Sequence, residues 1–318
     1  MVSRCEAGVG GDASSGGDSG LSPRILAVLG PTASGKTSLA IEVALRLGAE
    51  IVSADSMQVY RGMNIGTAKP TLIERRGVAH HLIDLVDPEE EFSVADYRRL
   101  GREVIGSAHV PLIIAGGSGL HFRALVDPMS FAPTDDELRA DLEERDLREL
   151  VAELIELDPE ASTHVDLENK RRVVRAVEIA GLTGETPSVR ARSAEAEDLR
   201  RYVPDIEFTA VGIDPGSTID ARVGSRLAQM RSGGLVDEVR SLRDRLGRTA
   251  RSALGYREIL DHLEGERSLD DAFETIAQNT KKLARKQRTW FQRDPRIRWI
   301  PWTEDESSRV ERAMEIFE

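Results

Sequence analysis

The stretch Gly30-Pro31-Thr32-Ala33-Ser34-Gly35-Lys36-Thr37 has the spacing G-x-x-x-x-G-K-[ST], a pattern suited to cradling phosphate. Its glycines let backbone N–H groups turn inward on phosphate oxygens, and a helix starting at its end adds the partial positive charge of an amino terminus. Lys36 supplies a point charge, and the Thr37 hydroxyl supplies an oxygen ligand for magnesium (Mg2+). The motif needs a strand before it and a helix after it. Arg24 to Leu29 is a short apolar run, and Lys36 to Leu47 carries Leu39, Val43 and Leu47 at helical spacing. A phosphate ligand follows from these residues. Which phosphate does not, because the same loop suits a nucleoside triphosphate or any diphosphate.

The elements around this loop decide what else can reach the ligand. Glu50 to Ser53 predicts a second strand leading into Asp55, whose carboxylate in a parallel sheet faces the same crevice. Two roles are open to it: ordering Mg2+ through water, or acting as a general base; in the purely structural alternative, Asp55 or Ser56 caps a helix. A third apolar run, Pro111 to Ala115, ends at Gly116-Gly117-Ser118-Gly119 and places a small hydroxyl beside the crevice. His80 and His81 are consecutive, so their side chains diverge on a strand, and hydrogen-bonding roles suit them better than a metal pair. With a later strand from Phe208 to Ile213, the alternation predicts an α/β fold: a P-loop NTPase-like parallel sheet flanked by helices, with ligands gathered at its carboxyl edge.

From Thr134 to Ala180 the pattern is helical and highly charged, and Gly181 to Gly184 with Pro187 breaks it. We therefore expect a core at 23–132 and 203–305, a helical insertion domain at 133–202 and a C-terminal tail at 306–318. Residues 1–22 are rich in Gly, Ser and Asp and read as a disordered tail. The one cysteine, Cys5, allows no intrachain disulfide, which fits a reducing cytoplasm, and no apolar run approaches the roughly 20 residues of a membrane helix. A formal charge of -12 argues against a nucleic-acid partner until its distribution is considered. Between Lys281 and Arg298, eight basic residues stand against the single acid Asp294, a pattern open to two readings: a solvated helix face or a cationic footprint.

Taken together, several stretches resemble the tRNA dimethylallyltransferase (tRNA isopentenyltransferase) family of bacterial type. They are GPTASGKT at Gly30, ADSMQVYRGMNIGTAKP from Ala54 to Pro70, HHLIDLVDP from His80 to Pro88, GGSGLHFRAL from Gly116 to Leu125, KRRVVRAVE from Lys170 to Glu178, LGYRE from Leu254 to Glu258 and RKQRTWF from Arg285 to Phe291. The resemblance implies transfer of a dimethylallyl group from dimethylallyl diphosphate to the exocyclic amine of the adenosine 3′ of the anticodon, with the base flipped into a channel and the diphosphate coming from the opposite mouth. By that likeness Asp55 is the general base and Ser118 assists it. Gly30, Pro31, Thr32, Ala33, Ser34, Gly35, Lys36 and Thr37 hold the diphosphate, with Mg2+ on Thr37. Asp55, Ser56, Met57, Gln58 and Ser118 surround the flipped base, and Arg139, Lys170, Arg171 and Arg172 meet the anticodon stem-loop of tRNA. The family pattern also implies a monomer.

This sequence departs from that pattern at Ser118, where threonine is usual, and at His121, where tyrosine is usual. The first keeps the hydroxyl; the second changes a wall next to the channel. Three rival readings stand beside it: a small-molecule kinase, which needs neither the basic 281–298 segment nor the charged insertion; a prenyltransferase of free adenine nucleotides, which needs little of the insertion; and a catalytically silent RNA-binding protein, which the intact loop and Asp55 disfavour.

Overall fold

The computed structural model describes residues 23–303 and 305–318. Six strands form one parallel sheet in the order β3-β2-β4-β1-β5-β6. They are β1 (Ile25–Leu29), β2 (Glu50–Ala54), β3 (His80–His81), β4 (Leu112–Gly116), β5 (Thr209–Asp214) and β6 (Ile297–Pro301). All four strands expected from the sequence are present within a residue of their predicted ends. The expected tail at 1–22 lies outside the described residues.

Period-two alternation explains why the central strands are apolar throughout. On β1, Ile25, Ala27 and Leu29 face one helical layer, while Leu26 and Val28 face the other. The first layer is the larger and includes Tyr60, Tyr97, Phe122, Tyr256 and Phe291. The second rests on the helix Lys36–Leu47, through Leu39, Val43 and Ala44.

The chain end corrects the expected tail at 306–318. Glu306–Phe317 is a helix that starts on an Asp305 cap and buries Val310, Ala313 and Phe317 in the second layer. These positions recur at i, i+3 and i+7, so the segment carried an amphipathic signal despite its many charges.

Residues 136–201 form helices with a separate small core of Leu142, Leu150, Leu154, Val173, Val174 and Val177. Both ends of this excursion are tied to the sheet layer. Asp205 and Ile206 donate their N–H groups to the Val126 carbonyl, and the fully buried Asp127 carboxylate is paired with Arg123 and Arg296. Arg296, counted above among the basic cluster, is thereby structural: it also holds Asp294 at 2.7 Å.

Candidate active site

The phosphate loop connects β1 to the helix Lys36–Leu47 and turns through left-handed conformations at Ala33 (φ 60°) and Gly35 (φ 86°). Gly35 is required for a second reason: a Cβ there would sit 2.5 Å from the ring of Trp302. That indole packs beneath the loop between the guanidinium groups of Arg222, 3.5 Å from its ring centre, and Arg309, at 4.0 Å. Arg222 also donates to the Ala33 carbonyl at 2.6 Å, so the loop is supported from outside before any ligand binds.

β2 and β4 pair side by side with Ala54 opposite Gly116, and a Cβ at Gly116 would lie 2.1 Å from the Ala54 carbonyl oxygen. This close approach lets the Ser118 N–H donate to Ala54 at 3.1 Å, which brings Ser118 beside Asp55 at the carboxyl edge of the sheet. Asp55 does not cap a helix. Its Oδ1 accepts the Met57 N–H at 2.9 Å in a tight turn, which fixes the carboxylate.

A cavity lies along this edge. It is lined by Thr32, Lys36 and Thr37 of the loop, by Asp55, Met57 and Gln58, and by Ala115 and Gly116. Ser56 is outside that lining, and Ser118 lies two residues beyond Gly116. The far wall is apolar, with Val223, Leu227, Met230, Leu235, Ile276 and Leu283. A second cleft on the outer side shares Lys36, Thr37 and Arg226 with the first and adds Ala33 and Gly35, so the phosphate loop stands between an inner channel and an outer mouth. Gly30, Pro31 and Ser34 shape the loop without lining either space.

Charge in the channel is concentrated and poorly hydrated. Burial pushes the Lys36 ammonium down to about 8, the neighbouring Arg226 guanidinium pushes the same way, and Asp55 opposes both. Burial likewise lowers Arg226, again against Asp55. Two cations that disfavour one another around a partly desolvated space suit an anionic ligand. Thr37, exposed on the first helical turn, offers one hard oxygen to the same space. No group of three His, Cys, Asp or Glu side chains forms a metal site among the described residues. A divalent cation there would be held by Thr37 together with a bound phosphate and would supply charge neutralisation.

The sequence did not single out Arg226, and it marked Gln287 only as part of the Arg285 to Phe291 stretch. Arg226 is one of three arginines, with Arg222 and Arg231, that flank the inward stripe Val223, Leu227, Met230 of the helix Ile219–Ser232, so the sequence offered no signal that singles it out. On the helix Leu269–Phe291, Ile276, Thr280, Leu283 and Gln287 recur at i, i+4, i+7 and i+11 and form a channel wall. Gln287 accepts the Thr32 N–H at 2.8 Å. The same helix exposes Lys282, Arg285 and Lys286 on its outer side, so the basic segment is channel wall on one face and cationic surface on the other.

His80 and His81 both make hydrogen bonds, as expected: His80 Nδ1 lies 2.9 Å from the Val78 carbonyl, and His81 Nε2 lies 2.7 Å from Glu50. In the insertion, Arg139 and Arg175 converge on the fully buried Glu178 carboxylate, at 2.8 and 2.7 Å. Burial alone would raise that carboxyl, and the two arginines hold it below its ordinary value instead. Arg139 also lines a groove between insertion and core with Arg171, Arg175 and Arg248. Lys170, Arg171 and Arg172 occupy the first turn of the helix Lys170–Thr183, where the helix dipole disfavours cations, and the arginines are exposed.

Such a site, a phosphate loop opening onto an apolar channel with a carboxylate at its other side, defines a transferase that holds a diphosphate as leaving group. Residues 58–294 match the IPP transferase family, and the chain belongs to it. It is 46% identical over 290 residues to the tRNA dimethylallyltransferase of Bifidobacterium animalis subsp. lactis, covering 87% of this chain and 82% of that one. The Streptomyces coelicolor tRNA dimethylallyltransferase is 43% identical over 87% of this chain and 90% of its own length. The crystal structure of the tRNA isopentenylpyrophosphate transferase of Bacillus halodurans superposes with a TM-score of 0.66 at 34% identity, covering 92% and 94% of the two chains. A eukaryotic dimethylallyltransferase acting on tRNA shares the fold, with a TM-score of 0.74 at 23% identity over 91% of this chain and 78% of that one.

Proposed function

We propose that this chain transfers the dimethylallyl group from dimethylallyl diphosphate to the exocyclic N6 amine of the adenosine immediately 3′ of the anticodon in tRNA, releasing diphosphate. The observation that carries this reading is the single channel that holds Lys36 and Thr37, Asp55 and an apolar wall together. The apolar wall suits a five-carbon prenyl group, and the two desolvated cations suit its diphosphate. The acceptor base must leave its stack to reach Asp55 inside the protein.

In this reading Asp55 takes a proton from N6 as the amine nitrogen bonds to the allylic carbon, while the carbon–oxygen bond breaks and its electron pair leaves on the diphosphate. Lys36, Arg226 and the loop N–H groups stabilise the charge that grows on the leaving oxygen. Mg2+ bound to Thr37 and the diphosphate would neutralise further charge there. Ser118 lies beside Asp55 and assists at the amine. Asp55, Ser56, Met57 and Gln58 surround the flipped base. The anticodon stem-loop lies along the groove of Arg139, Arg171 and Arg175, with Lys170 and Arg172 at its rim. The enzyme works as a monomer in the cytoplasm; no helix among the described residues is long and apolar enough to cross a membrane.

The test incubates purified protein, magnesium and labelled dimethylallyl diphosphate with unmodified tRNA or with adenosine monophosphate, then identifies the modified nucleoside. Label on the tRNA adenosine that is lost in Asp55→Ala supports the reading. Label on the free nucleotide, or ATP turnover with no prenyl transfer, refutes it.

A further inference from the structure

The corner occupied by Ser118 contains a group that the reaction above does not use. His121 lies one helical turn further along Gly119–Val126, is 8% exposed, and its Nδ1 is 2.8 Å from Ser118 Oγ. Its ring is held edge-on by Tyr97, with ring centres 4.6 Å apart, and the Tyr97 hydroxyl is in turn committed to the Ser53 carbonyl at 2.8 Å. The Ser118 hydroxyl oxygen also accepts the His121 backbone N–H at 3.4 Å. The ring is therefore fixed by packing, and Ser118 Oγ and His121 Nδ1 share one hydrogen bond whose direction is set by the imidazole tautomer.

We propose that His121 is a positioning residue for prenyl transfer: neutral, it accepts the Ser118 hydroxyl proton at Nδ1, so that Ser118 presents a lone pair to one hydrogen of the acceptor amine. The amine then offers its other hydrogen to Asp55 and its nitrogen lone pair to the allylic carbon. No proton moves along Ser118 or His121, and the bonds made and broken are those of the reaction already given. This inference rests on the assignment of Ser118 to the amine site.

Protonation reverses the arrangement. An imidazolium donates from Nδ1 to Ser118 Oγ, and the hydroxyl hydrogen swings toward the amine, where it meets another hydrogen. Burial lowers the His121 pKa from its ordinary value, with Asp55 opposing, so the neutral form prevails at physiological pH. The groups that bear on the ring are the Asp55 carboxylate after β2, Tyr97 from the helix Val94–Ser107 and Ser118 itself. The helix Leu269–Phe291 brings the uncharged Gln287 and Trp290 to this corner, against Gly117 and Gly119.

Four variants test this. His121→Phe keeps a ring against Tyr97 and removes Nδ1; the single-turnover rate on tRNA should fall about tenfold, the effect of one oriented hydrogen bond, with KM for dimethylallyl diphosphate unchanged. His121→Asn restores an acceptor near Nδ1 that does not titrate; it should recover most of the rate and alter the acid limb of the pH profile. Combining Ser118→Ala with His121→Phe should slow the enzyme no more than Ser118→Ala alone. If His121→Phe does not fold, as read by thermal unfolding, the pH profile of His121→Asn decides. An unchanged acid limb in His121→Asn, or penalties of Ser118→Ala and His121→Phe that multiply, overturns the inference. A Ser118→Ala enzyme of full activity instead removes the amine-site assignment beneath it.

Discussion

The channel and the helical insertion handle positive charge in opposite ways. In the channel, Lys36 and Arg226 are withdrawn from water and set against one another, with Asp55 the acid that offsets them. In the insertion, Arg171 and Arg172 stand exposed on a helix end, and Arg139 and Arg175 are neutralised by the buried Glu178. A desolvated cation binds strongly and is sensitive to geometry; an exposed one attracts from a distance and is screened by salt. In the proposed function, chemistry belongs to the first region and RNA docking to the second. It can be broken by variants that move the wrong kinetic constant.

The largest effect is expected at Asp55. Replacing it by alanine should lower the single-turnover rate about 10²- to 10⁴-fold, the range for loss of a general base, while tRNA affinity measured by filter binding changes little. A loss that appeared mainly in tRNA affinity would move Asp55 from chemistry to docking.

Next comes Lys36. Its alanine variant should raise KM for dimethylallyl diphosphate about 10- to 100-fold, as expected for one charge-assisted contact, without altering KM for tRNA. Equal loss with both substrates would mean that the loop has collapsed.

The same lysine sets a pH dependence. Its pKa of about 8 lies below the usual lysine value, so the charged form is the one disfavoured in the free enzyme. A bound diphosphate favours that form. Binding is therefore strongest below about 8 and weakens above it, and KM for dimethylallyl diphosphate should climb toward tenfold per pH unit beyond that point. The diphosphate's own ionisations lie lower, near the phosphate value of about 6, and do not contribute there. Lys36→Arg should flatten the limb; persistence of the limb in that variant would assign it to another group.

How much of this was legible in the sequence follows from how each feature is encoded. The phosphate loop, Asp55 and the four predicted strands are local: glycines with left-handed φ, apolar runs and turn residues dictate them without reference to distant segments. Arg226 and Gln287 were not legible as site residues, because only packing of their helices against the sheet points them at the loop. The Ala54 to Pro70 stretch shows both situations. Its residues are recognisable as a block, yet what holds the block is remote: the Glu238 carboxylate accepts the N–H groups of Asn64, Ile65 and Gly66 at 2.9, 2.8 and 3.0 Å and the Tyr256 hydroxyl at 2.5 Å. Two elements far along the chain thus fix the loop beside Asp55, and nothing local in MNIGTAKP announces them. The helix at the chain end was missed for a simpler reason: its apolar stripe of Val310, Ala313 and Phe317 is narrow, and the charges between them read as a tail.

The smallest effect separates the two regions most cleanly. Arg171 is exposed at the start of its helix and lines the groove between insertion and core. A cation in the first turn opposes the helix dipole, so removing it should leave stability unchanged or slightly improved. If Arg171 contacts a phosphate of the stem-loop, Arg171→Ala should raise KM for tRNA several-fold, reduce the slope of log affinity against log salt by about 1, and leave KM for dimethylallyl diphosphate and the single-turnover rate at saturating tRNA untouched. Arg139→Ala is the internal control. Because Arg139 shares Glu178 with Arg175, its loss leaves part of a buried carboxylate unpaired and should cost about 1–3 kcal/mol in unfolding experiments, a penalty that Arg171→Ala does not share. An Arg171→Ala enzyme that unfolds early, or that keeps the full salt slope, would make the insertion's surface charge structural and erase the distinction between the two regions.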